Sequence, residues 1–131
     1  GSIWILNISD SLNVVSHSRI TASIGGLADT LTMGASFGNS ISNVGDLNGD
    51  NINDLLVGSF WQSDITKNSG AAFLLFMNSN RTVASEYKYS NSSGPIPDSL
   101  ANRARYGKGV CGLGDFNGDG KLDIAICASS N

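Results

Sequence analysis

The chain lacks any apolar run near the roughly 18 residues of a membrane-spanning helix. Its opening Gly-Ser-Ile-Trp-Ile-Leu-Asn has neither the charged region nor the cleavage site of a secretory leader. The segment therefore reads as mature or excised, with no membrane insertion of its own. Charge is scarce as well, at 15% of residues. The one histidine, His17, has no nucleophile in a recognisable context, and the carboxylates that could form an acid and base pair are gathered elsewhere. Phosphate-cradling glycine loops and basic stripes are absent too, so neither an enzyme nor a nucleic-acid partner is expected.

What the chain does have is 16 glycines, abundant Ser, Thr and Asn, and an ordinary 40% of hydrophobic residues. That mixture suits short strands joined by many turns, and an all-β chain is expected. Its acidity is unevenly spread. Six of the eleven acidic residues, Asp46, Asp50, Asp54, Asp115, Asp119 and Asp123, fall in two nine-residue windows. Two bound divalent cations would turn the net charge of −3 into about +1.

The chain aligns on itself without a gap at a shift of 69 residues, with 16 of 62 overlapping pairs identical. Gly1 falls on Gly70, Trp4 on Phe73, Leu6 on Leu75, Val14 on Val83, Asp29 on Asp98, Phe37 on Tyr106 and Gly38 on Gly107. A repeat of this length signals a propeller or a solenoid. Residues 1–69 form the first repeat and 70–131 the second. The β-branched and aromatic enrichment predicts strands at 2–9, 14–21, 37–45, 54–60, 70–78, 82–90, 106–114 and 123–129. Short links make neighbours antiparallel. The expected order is half a sheet, one whole four-stranded sheet and another half. Such a chain has open edges, which pair either with further repeats of a longer parent chain or with neighbouring copies in a homo-oligomer.

The two windows, Asp46-Leu-Asn-Gly-Asp-Asn-Ile-Asn-Asp54 and Asp115-Phe-Asn-Gly-Asp-Gly-Lys-Leu-Asp123, share the form D-x-N-G-D-x-x-x-D. Calcium prefers six to eight hard oxygen ligands. Asp46, Asn48, Asp50 and Asp54 can supply side-chain oxygens and Ile52 its carbonyl. Asp115, Asn117, Asp119, Asp123 and the Lys121 carbonyl repeat the set, for two Ca²⁺ sites. Gly49, Asn51, Gly118 and Gly120 tolerate the positive φ that such a curl needs. Three carboxylates about 5 Å apart repel by roughly 3 kcal/mol per pair at an effective dielectric of 20, a penalty that a cation reverses. An EF-hand would need Glu at position 12, where Val57 and Ile126 stand instead.

With Phe37-Gly38 and Tyr106-Gly107 before the loops and Gly58-Ser59-Phe60 and Cys127-Ala128-Ser129 after them, the chain resembles the FG-GAP repeat of integrin alpha-type β-propellers. Both final triplets lack the family's Pro. The resemblance implies propeller blades of four antiparallel strands with calcium in a hairpin loop of each, here one complete blade plus two half-blades. It also places the calcium loops on one face with the 79–81 turn. Loops 22–36, 60–69 and 91–105 fall on the opposite face, which by similarity binds ligand. Trp61, Arg103, Arg105 and Tyr106 lie on or near that face and include residue types enriched at binding hot spots.

Cys111 and Cys127 stand four residues outside the second loop on either side, so a hairpin symmetric about it would set them opposite each other for a disulfide. Sequons occur at Asn7, Asn80 and Asn91, of which Asn80 and Asn91 fall in expected turns. Together these features favour an extracellular or cell-surface setting. The leading expectation is a calcium-stabilised, non-enzymatic propeller segment for adhesion or protein recognition. A structural unit assembling through open blade edges into a fibre or array is the alternative, and a glycan-binding propeller a weaker one.

Overall fold

The computed structural model describes every residue except Thr66, Pro97, Asp98 and Asn131, so the Asp29–Asp98 correspondence lies partly outside the described residues. Eight strands follow the expected order. They are β1 (Ile3–Ile8), β2 (Val14–Ile20), β3 (Ser40–Gly45), β4 (Asp54–Ser59), β5 (Ala71–Met77), β6 (Val83–Tyr89), β7 (Tyr106–Gly114) and β8 (Asp123–Ala128). The pairs β1–β2 and β7–β8 flank a four-stranded sheet ordered β3-β4-β5-β6, and every pairing within these sheets is antiparallel. This is one propeller blade between two half-blades. β3 begins three residues later than expected, after Ser36 and Gly38 with φ of 58° and 86°.

The blade is apolar on both faces, so β4 and β5 are buried almost throughout. On one face Val57, Phe73, Leu75 and Met77 pack against Ile3 and Ile20 of the first half-blade. Phe37 meets Phe73 edge-on at 5.5 Å. On the other face Val44, Leu56 and Leu74 pack against Val110, Ile124 and Ile126 of the second half-blade. Strand alternation sends consecutive residues to opposite seams. Each fully buried Leu or Phe contributes about 1.5–3 kcal/mol, so the central blade carries most of the apolar stabilisation.

At the blade seams, backbone meets backbone at glycines. A Cβ on Gly70 would sit 2.2 Å from the Tyr106 carbonyl oxygen, and one on Gly1 would sit 2.1 Å from that of Phe37. Gly107 makes the reciprocal approach to the Ala71 carbonyl, at 2.1 Å. These are corresponding positions of the two repeats, so the Phe/Tyr-Gly element is a packing device in which one blade's first segment lies directly on the glycine that begins the preceding blade's third strand. Gly70 also has a φ of 90°. Gly70→Ala should therefore cost about 2 kcal/mol or more in urea denaturation. Gly109→Ala, whose Cβ would meet only the Cys127 side chain at ordinary contact distance, should cost well under 1 kcal/mol.

Candidate metal loops and the opposite face

Each D-x-N-G-D-x-x-x-D segment is a tight curl between an inner strand and its neighbour, β3 to β4 and β7 to β8. The curl uses positive φ at the expected positions: Gly49 82°, Asn51 65°, Gly118 77° and Gly120 82°. Asp46 accepts hydrogen bonds from the amides of Gly49 at 2.7 Å, Asp50 at 3.1 Å and Asn51 at 2.8 Å. Asp50 accepts from the Ile52 amide, and Asn48 accepts from the Asp50 amide. The second loop repeats this: Asp115 accepts from Asp119 and Gly120, Asn117 from Asp119, and Asp119 from Lys121. The Asn51 amide is the main cause holding the Asp46 carboxyl below its ordinary value. Desolvation opposes it, and the amides of Gly49, Asp50 and Asn48 add to it.

The ninth residue does the most structural work. Asp54 is wholly buried. One of its oxygens accepts from the Leu47 amide inside the loop at 3.0 Å, the other from the Met77 amide on β5 at 3.0 Å. It thus ties the loop to the blade. Its counterpart Asp123 accepts from the Phe116 amide at 3.0 Å and is partly exposed.

The donor set fits a hard cation: carboxylate and amide oxygens, with no His or Cys in either loop. Among the described residues, the only ion pairs join Lys88 to Asp29 and Asp64, so the three carboxylates of the first loop have no cationic side chain to neutralise them. The carboxylates are turned toward loop amides rather than toward one another. No three His, Cys, Asp or Glu side chains among the described residues form a ready-made metal cluster.

The cysteine expectation is corrected by the register. Cys111 lies opposite Ala125 and Cys127 opposite Gly109, both thiols are free, and both are exposed. Two single-residue offsets cause this. The hairpin closes on Gly114 and Asp123 rather than symmetrically about the loop, and Leu113 is bulged out of the ladder. The cysteines are left diagonal, too far apart for the bridge that direct opposition would favour.

Among the sequons, Asn7 is exposed on β1 and Asn80 is exposed in the β5–β6 turn, where its oxygen accepts from the Thr82 hydroxyl at 2.6 Å. Asn91 is committed internally: its amide donates to the Leu100 carbonyl and accepts from the Leu100 amide, each at 2.7 Å.

On the opposite face the loops interlock through Trp61 N to Ala35 O and Arg103 N to Lys67 O. The Arg105 guanidinium lies over the Trp61 ring at 5.1 Å, with its Nε buried and without a hydrogen-bond partner among the described residues. Arg103 is exposed and lines a shallow recess with Lys67 and Asn102. Tyr106 instead packs into the seam between blade and half-blade. Burial there, then the nearby Tyr89, pushes its phenol up. The four expected face residues thus divide into a Trp61–Arg105 pair, an exposed Arg103 and a seam residue.

Two groups on this face are not marked in the sequence. Gln62, buried among loops, accepts from the Thr32 amide and donates to the Thr30 carbonyl. Lys88 bonds Asp64 at 2.8 Å and reaches Asp29 at 3.4 Å, with its side chain and that of Asp64 only 12% and 10% exposed. Burial alone would raise the Asp64 carboxyl. The bonds from Lys88, Ser90 and Ser92 outweigh it and hold the carboxyl below its ordinary value of 3.8. A carboxyl lowered by folding stabilises the fold above its unfolded value, and that stability is lost as pH falls. The chain should therefore lose stability below about pH 4. Lys88→Met should cost about 3 kcal/mol at pH 7 and show a smaller further loss on acidification, as read by denaturation at pH 7 and pH 3.

No protein-family model matches the chain. Curated relatives do: integrin alpha-4 of Xenopus laevis is 36% identical over 96 residues, which is 73% of this chain and 8% of that protein. Integrin alpha-3 of Cricetulus griseus is 34% identical over 96 residues, with the same two shares. Integrin alpha-2 of Mus musculus is 33% identical over 99 residues, 74% of this chain and 8% of that protein. The chain thus spans about a twelfth of the length of these relatives.

Proposed function

Because the chain belongs to the integrin alpha-type, FG-GAP β-propeller family, we propose that it is a calcium-clipped, non-enzymatic part of an extracellular recognition propeller. Residues 1–69 and 70–131 are successive repeats in this reading, each contributing one calcium loop. The observation that carries it is the pair of loops with the same curl and the same amide pattern, of which the first carries three carboxylates with no cationic side-chain partner among the described residues. Asp46, Asn48, Asp50, Asp54 and the Ile52 carbonyl would hold one ion. Asp115, Asn117, Asp119, Asp123 and the Lys121 carbonyl would hold the other.

The ion would neutralise the loop's own repulsion and so stabilise the hairpin that Asp54 fastens to the blade. Its role is structural, which leaves recognition to the opposite face. There the half-buried Trp61–Arg105 pair presents an aromatic ring and a guanidinium, a combination suited to a protein ligand. No helix among the described residues is long and apolar enough to cross a membrane. An extracellular setting is supported by the family and by the millimolar calcium available there to load weak sites.

Calcium at 100 times its dissociation constant should stabilise the chain by about 2.7 kcal/mol per site, seen as a higher melting temperature than in chelator. Asp50→Ala combined with Asp119→Ala should remove that gain while leaving the chelated form nearly unchanged, since both side chains are exposed and bond only within their loops. Identical melting curves with calcium and with chelator would sink the metal reading.

A further inference from the structure

Of the chain's asparagines only Asn48 and Asn117 precede a glycine, and of its aspartates only Asp119 does. Such a step is open to attack by the glycine's main-chain nitrogen on the preceding side chain, because no Cβ hinders the approach. All three steps lie in the oxygen-rich loops, and all three are exposed. The loop tips also stand clear of the seams. A Cβ on Gly49, Gly118 or Gly120 would meet nothing within 4 Å, and Gly49 is that open with the second half-blade packed against its blade.

What separates the three steps is the state of the attacking amide. The Gly49 amide donates to Asp46 at 2.7 Å and the Gly120 amide to Asp115 at 2.9 Å. The Gly118 amide has no acceptor among the described residues, although Asp115, the counterpart of Asp46, stands in the same loop; the Asp119 and Gly120 amides take its two oxygens. An amide proton bonded to a carboxylate is harder to remove, since the nitrogen anion left behind would face a second negative charge. At the receiving end the Asn117 Oδ1 accepts from the Asp119 amide at 2.9 Å, a donor placed to stabilise the negative charge that attack builds on that oxygen. Asn48 has the same donor in the Asp50 amide, so the nucleophile is what distinguishes the two loops.

We propose that Asn117 is a site of spontaneous modification, at which the Gly118 nitrogen closes a succinimide ring on the Asn117 side chain, and that Asn48 is protected from the same reaction. The Gly118 nitrogen loses its proton and bonds to the Asn117 Cγ, the Cγ–Nδ2 bond breaks, and the departing amide nitrogen takes up that proton to leave as ammonia. Water then opens the ring at one of its two carbonyls. One product is an ordinary aspartate, which adds a carboxylate to Asp115, Asp119 and Asp123. The other is an isoaspartate, whose main chain runs through the side-chain carbon and is one methylene longer. That extra atom displaces Asp119 and the Lys121 carbonyl from the places that Asp50 and Ile52 hold in the first loop. Two loops alike in sequence therefore differ in chemical lifetime.

Ring closure does not need calcium, while the effect of calcium on it rests on the proposed metal site. Both are tested on the intact protein that carries this chain, held folded in chelator at mildly alkaline pH and, as a reference, in urea. Trypsin separates the sites, since residues 20–67 hold Asn48 and residues 109–121 hold Asn117 and Asp119. Mass spectrometry and isoaspartyl methylation follow each peptide with time. In urea Asn48 and Asn117, which share the sequence Asn-Gly-Asp, should convert at similar rates. In the folded protein Asn117 should convert about five-fold faster than Asn48, the rate equivalent of one hydrogen bond. Asn117→Ala should remove the isoaspartate from its peptide. Equal rates at the two sites in the folded protein, or isoaspartate that persists in Asn117→Ala and so arises at Asp119, overturns the assignment. Calcium at 100 times its dissociation constant should slow conversion at Asn117 about a hundred-fold, because closing the ring turns the side chain back on its own main chain and off the ion. A melting temperature and a rate both indifferent to calcium would overturn the metal reading alone. A raised melting temperature with an unchanged rate would overturn the protection alone.

Discussion

A carboxylate removed from water must find donors for its oxygens or lose its charge, and Asp54 meets that demand twice over. One oxygen takes an amide from inside its own loop and the other takes one from β5. The loop's curl, the start of β4 and the end of β5 are thereby held by one side chain. Leu47 and Ile52 of the same loop add apolar contacts to the two seams. The same bond makes the loop's electrostatics a property of the whole blade: whatever neutralises Asp46 and Asp50 stabilises a hairpin to which the core is tied.

The glycine contacts have a comparable role between blades. Gly1 on Phe37 and Gly70 on Tyr106 bring main chain against main chain, so successive blades approach more closely near their inner strands than side chains would permit. The apolar seams outside these contacts can then be filled by branched residues of moderate size, Val44, Leu56 and Val57 among them. Closeness at the glycines and bulk further out give stacked sheets the wedge shape that a propeller requires.

The two ends of the blade consequently differ in character. The loop end is held by short-range amide bonds within each nine-residue segment. The opposite end is held by contacts between loops distant in sequence: Lys88 to Asp64 and Asp29, Gln62 to Thr30 and Thr32, and Arg105 to Trp61. A surface assembled from several loops can vary residue by residue without disturbing the strands.

Much of this was legible in the sequence, for local reasons. Strand positions follow from alternation and turn residues, and the curl from Gly49, Asn51, Gly118 and Gly120, whose positive φ is a property of those residue types. The duplication revealed which positions are equivalent. The cysteines show where such reasoning stops, since the bulge at Leu113 moved Cys127 away from Cys111 and a bulge depends on how a strand meets its partner rather than on spacing. Lys88, Gln62 and the double duty of Asp54 were equally hidden, because their partners lie on segments that only packing brings near. The sequence by itself determined the repeat, the strands and the oxygen-rich loops, all of which rest on interactions within a few residues. Register and the buried polar clasps were decided by tertiary structure, because each depends on which distant backbone groups come within hydrogen-bonding reach.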